Sequence, residues 1–251
     1  MNLWRVERLR LFRTGRWIAL ASVFLLLGFA EPLVTRYIGQ LLGGATGSTY
    51  IHVTVTEPHA ADAMAAYFGN ITTLGTLVTV VVAGLAFSVR SNPPLAALYL
   101  THVPSRIALL VPRLATMAVA ATVAAALGGV AAAYETTLLL GAPAAGVTAT
   151  GVLISCLGAV FAVTITFLAS AFLRGQVAAI AVALGAMFVA VPSSSLIPGI
   201  RHIGPAAFTA LPTALQTGAW NSNDTWATTL TTLLAAACVA GGLWRSTRWQ
   251  L

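Results

Sequence analysis

The sequence predicts an all-α, polytopic membrane protein with six transmembrane helices, and three observations predict it. Of 251 residues, 58% are hydrophobic and 8% charged, against about a quarter charged in soluble domains, so lipid is the solvent that fits. The charged residues are spaced by uncharged runs long enough for a bilayer, which takes about 20 apolar residues per helix. Finally, the arginines are concentrated in every second loop of that layout, and so on one side, as the positive-inside bias of short loops requires.

Residues 1–16 form a basic amino-terminal segment in which LWRVERLRLFR mixes arginine with large apolar side chains. It reads either as a helix on the cytoplasmic leaflet, drawn to anionic lipid, or as the positive flank of the first span. The first span, about 17–41, is interrupted by Glu31, Pro32 and Arg36. Its apolar run is too long for a cleavable signal peptide, so the helix is expected to stay. An outer segment follows, in which YIHVTVT alternates like a short strand and has no pairing partner elsewhere in the chain.

Twenty-seven uncharged residues between Asp62 and Arg90 hold the second span, about 69–89. Twenty-one between Arg113 and Glu135 hold the third, about 114–134. Thirty-eight between Glu135 and Arg174 hold a loop and the fourth, about 148–172; twenty-six between Arg174 and Arg201 hold the fifth, about 176–198. Pro205, Pro212 and the glycines around them then break an apolar stretch into pieces, expected to be re-entrant or interfacial. Twenty uncharged residues between Asp224 and Arg245 hold the sixth, about 226–244. In span three, Ala121, Ala125, Gly129 and Ala133 recur every four residues, which would let helices approach closely.

Eleven of the 13 arginines then fall on one side, with only Arg36 and Arg201 on the other, while Glu7 is the one acid on the arginine-rich side. Both chain ends are therefore expected in the cytoplasm, the whole chain forming one transmembrane domain in the cell membrane, a bacterial plasma membrane. The net charge of +7 is spread over several short loops, which excludes the continuous patch that nucleic acid needs. Cys156 and Cys238 lie inside spans and imply no disulfide.

The chain contains no lysine, so it has neither a phosphate-binding loop of the G-x-x-x-x-G-K-[ST] type nor a Schiff base, and it is not expected to be an enzyme. No H-E-x-x-H or G-x-S-x-G is present and no catalytic residue is assigned. His52 and His59 stand near Glu57 and Asp62 without a spacing that fixes a metal site.

The cytoplasmic segment RSNPPLAALYLTHVPSRIALLVPR, Arg90 to Arg113, is the most informative. Ser91 or Asn92 can cap a short helix opened by Pro93 or Pro94 and closed before Pro104. Leu95, Leu98 and Tyr99 share one side of it, suited to a groove on a soluble partner or to lipid headgroups.

At this segment, and in its layout of a basic amino-terminal helix, six spans and broken apolar pieces between five and six, the chain resembles ABC transporter permeases of the type-2 exporter class. LAALYLTHVPSRIALLVPRL is similar to that family's short coupling helix followed by a turn and a basic residue entering span three, with Pro104, Ser105, Arg106 and Arg113 at the matching positions. Where the family often has an acid and a glycine ahead of this helix, Asn92, Pro93 and Pro94 stand here. The resemblance implies a permease that pairs with itself or a sister permease. It also implies two separate ATPase subunits that hold ATP and Mg, with coupling through Leu95, Leu98, Tyr99, Pro104 and Arg106. Amphipathic or hydrophobic cargo is expected, since no acid or base lies deep in a span outside span one. A secondary carrier and a non-transport scaffold subunit are the alternatives. Glu31 is expected either to line an outer exit path that favours cationic cargo, or to pair with Arg36 or reach the headgroups.

Overall fold

The uncharged runs fold as helices, because a chain in hydrocarbon must satisfy its backbone N–H and C=O groups within each segment. The computed structural model describes residues 3–45, 58–87, 106–221 and 223–248, and no strand occurs among them. YIHVTVT lies outside these residues, as do Leu95, Leu98, Tyr99, Pro104 and Ser105.

Helix α1 (Leu3–Arg13) ends at a turn where Gly15, at φ 65°, takes a left-handed conformation that a side chain would resist, and α2 (Arg16–Ala45) begins directly after it. Then follow α3 (Ala60–Phe87), α4 (Arg106–Leu140), α5 (Ala145–Phe172), α6 (Gln176–Leu196), a short α7 (Pro205–Gln216) and α8 (Asn223–Thr247). Six of these, α2 to α6 and α8, are long and apolar enough to cross a membrane.

Several helices outrun the expected spans, and the reason is local. Helix α3 starts at Ala60 rather than near 69 because Asp62 Oδ2 accepts the His59 backbone N–H at 2.8 Å, capping the first turn. Helix α4 covers 35 residues and carries Glu135 within it, so charge does not mark its ends; at about 1.5 Å per residue it is longer than a ~30 Å hydrocarbon core. Pro32 sits inside a continuous α2 and Pro112 inside α4.

Helices α3 and α5 form the centre, with 56% of each apolar window buried, whereas α2, α6 and α8 bury only 28%, 22% and 17% and turn apolar faces outward. The main core joins Phe24, Leu27, Tyr67, Phe68, Phe87, Met117 and Phe167. Its closest approach is between α2 and α4. A β-carbon built on Gly28 would lie 2.5 Å from the Gly128 carbonyl oxygen, and one on Gly128 would lie 2.7 Å from the Phe24 carbonyl oxygen. The backbones touch, as small residues permit in helix pairs that lack a hydrophobic driving force. In the row of small residues read from the sequence, Ala121 and Ala125 are fully buried and Gly129 faces Val152 of α5.

Helix α7, 12 residues opened by Pro205 after Gly204, is too short to cross. It packs on α3, α5 and α8, burying Phe208 and Leu211 against Ile154 and Ala227. Among the described residues the two non-spanning helices thus sit at opposite ends of the bundle, α1 at the end bearing most arginines and α7 at the other.

Candidate functional site

Among the described residues, two places gather several polar side chains in the interior. The first is an ion pair between α1 and α4. Nε and Nη2 of Arg113 both donate to Oε1 of Glu7, at 3.1 and 2.7 Å. Arg113 is 1% exposed and Glu7 5%, and Arg10 approaches the same carboxylate oxygen to 3.7 Å from one turn along α1. Removing either partner takes away a counter-charge held at 2.7 Å from a buried group, which is costly. The pair therefore fixes where α1 lies against α4, two turns after α4 begins at Arg106.

Sequence reading had counted Arg113 as a positive-inside residue and as the basic residue entering span three, not as the partner of Glu7. The available signal was Glu7 itself, the one acid set among five arginines in the first 16 residues.

The second place is a cavity of about 30 Å³ in the middle of the bundle, lined by Thr72, Thr76, Thr79, Ser155 and Thr209 together with Phe24, Met187 and Phe208. Both helices that carry a π-helical turn reach it, α3 through Ile71–Gly75 and α6 through Ala186–Ala190. Such turns are frequent at functional sites. The hydroxyl protons are used locally: Thr72 donates to the Phe68 carbonyl at 2.8 Å, Thr79 to Gly75 at 2.7 Å, Ser155 to Gly151 at 2.9 Å and Thr209 to Ala206 at 2.9 Å. These four hydroxyls leave the cavity an uncharged surface of oxygen lone pairs. At about 30 Å³ it has room for a few waters at most, each needing ~10–15 Å³ of such space, so it is not a passage for drug-sized cargo.

Among the residues expected from sequence, Arg106 is the first residue of α4, and the other coupling positions lie outside the described residues. Glu31 is partly exposed on α2, one turn beyond the Gly28 crossing. Among the described residues no ion pair joins it to Arg36. His59 and Asp62 serve the start of α3, and no group of three metal-ligating side chains occurs among the described residues. Cys156 and Cys238 are both free thiols.

No family model matches the sequence, and no curated protein matches it. The functional reading rests on this chain's own residues and layout.

Proposed function

We propose that the chain is the membrane-spanning permease subunit of an ATP-driven exporter, moving amphipathic or hydrophobic cargo with energy from separate ATPase subunits. Both chain ends and the 88–105 segment face the cytoplasm, and α7 dips into the membrane from the outer side. The observation that carries the reading is the arrangement around α4. This helix emerges directly from the loop that resembles a coupling segment, and two turns later it is bound to the basic amino-terminal helix through Glu7 and Arg113. A push on the loop is thereby delivered to α1 and α4 together. The lack of lysine supports placing ATP and Mg on a partner chain. The small central cavity and the open faces of α2, α6 and α8 support cargo passing between this chain and a second permease copy or a sister permease.

Everted membrane vesicles test this reading: cargo should accumulate when ATP is added and stop with an ATPase inhibitor. Uptake driven by a proton gradient without ATP would favour a secondary carrier and reject the proposal. In the same vesicles, Glu31→Gln should lower transport of cationic cargo several-fold and spare neutral cargo if Glu31 lines the exit path; equal transport of both would assign it to the headgroup region.

Orientation is tested separately. Cysteines placed at Ser48 and Asn223 should react with an impermeant thiol reagent added outside intact cells, and one at Ser91 should not. The reverse pattern would invert the topology.

A further inference from the structure

Helix α1, the start of α2 and the first half of α4 leave a groove between them of about 490 Å³, within the range of small-molecule sites. Its walls are apolar, with Trp4, Phe12 and Trp17 on one side and Val119 and Val123 on the other, and Arg8 is the one charged residue lining it. Along α4 it runs from Ala115 to Leu127, which at 1.5 Å per residue is about 18 Å, close to the ~15 Å of one leaflet in a ~30 Å core. Glu7, the only acid of α1, is turned away from the groove and bound to Arg113. The helix therefore offers the groove a cation at Arg8 with no acid beside it, and Arg5 and Arg13 are exposed elsewhere on the same helix.

We propose that this groove is a binding site for a single anionic glycerophospholipid, its acyl chain lying between α1 and α4 and its phosphate on Arg8. Charge decides between the possible occupants. A second copy seated here by a twofold axis would bring two basic α1 helices onto one interface, with no acid of α1 left to offset them, whereas an anionic headgroup neutralises Arg8. Free phosphate would leave the apolar slot uncovered. Tryptophans beside the slot suit the boundary between headgroup and chain. This site is independent of the transport reading, and it would stand if the protein moved nothing.

The test uses the full-length chain in nanodiscs with equal phosphatidylglycerol and phosphatidylcholine, followed by native mass spectrometry after release. The chain should retain phosphatidylglycerol at least fivefold over phosphatidylcholine. Arg8→Gln should bring that ratio near one, and Val123→Trp, which fills the slot, should remove about one lipid per chain. Millimolar inorganic phosphate should not compete. Equal retention of the two lipids by the unaltered chain, or unchanged retention in both variants, would overturn the proposal, as would a protein dimer lost in Val123→Trp with lipid retention unaffected. Should a variant fail to fold, the unaltered chain and Trp4→Phe still decide. Phosphatidylglycerol with brominated chains should quench tryptophan fluorescence more than its phosphatidylcholine counterpart, and Trp4→Phe should reduce that difference; no difference between the lipids counts against the site.

Discussion

Replacing Glu7 with Gln is expected to destabilise the protein by about 3 to 5 kcal/mol, because Arg113 would keep its charge in a buried position with no counter-charge from α1. Thermal unfolding in detergent measures the loss, and faster proteolysis near Arg10 would report α1 leaving α4. Arg113→Gln should do the same from the other side. The double replacement Glu7→Met with Arg113→Met separates an ion-pair effect from simple disruption, since exchanging a buried pair for apolar side chains of similar volume is often neutral or stabilising. The double variant should therefore unfold near the unaltered protein or above it. If it proved as unstable as either single variant, the pair would not be what holds α1 in place. Under the proposed transport role, a double variant that is stable but poorly coupled would place the pair in force transmission.

The second large effect is expected at the α2–α4 crossing. A β-carbon on Gly128 would sit 2.7 Å from the Phe24 carbonyl oxygen and 2.8 Å from the Tyr67 hydroxyl; one on Gly28 would sit 2.5 Å from the Gly128 carbonyl oxygen. Two of these obstacles are backbone atoms, which no rotamer change can move. Gly28→Ala and Gly128→Val must therefore push the helices apart, and overpacking of this kind costs about 1 to 3 kcal/mol or more. Gly146→Ala is the control, as nothing lies within 4 Å of the added carbon. Unfolding curves should separate the two crossing variants clearly from the control. Equal stability of all three would mean that α2 and α4 do not cross at these glycines.

The number and order of the spanning helices were legible because charge is so sparse that each gap between charged residues is itself a measurement of length. Helix ends were less legible, since Asp62 and Glu135 belong to helices whose ends project beyond the apolar stretch; a charge marks the limit of hydrocarbon, not of hydrogen bonding. The glycine crossing was half legible. A row of small residues on span three was visible, but alanine is so frequent that nothing singled out Gly28 and Gly128, one helix apart. Least legible was the Glu7–Arg113 pair, which joins residues 106 positions apart. Each taken alone is an ordinary interfacial charge, and only packing α1 onto α4 turns them into a buried contact. The π-helical turns had no sequence signature either, as ITTLG and AMFVA contain no proline.

The central claim is that the 88–105 segment carries energy from an ATPase into α4. Its most direct test is Leu98→Asp, assayed by recovery of the tagged full-length chain in mild detergent with its associated ATPase. An unpaired charge in an apolar docking contact costs about 1 to 3 kcal/mol, and the account predicts that associated ATP hydrolysis falls on the order of tenfold while yield and helicity of the chain are unchanged. Full association and full ATP-driven transport in Leu98→Asp would contradict it, and would leave the segment resting on lipid headgroups.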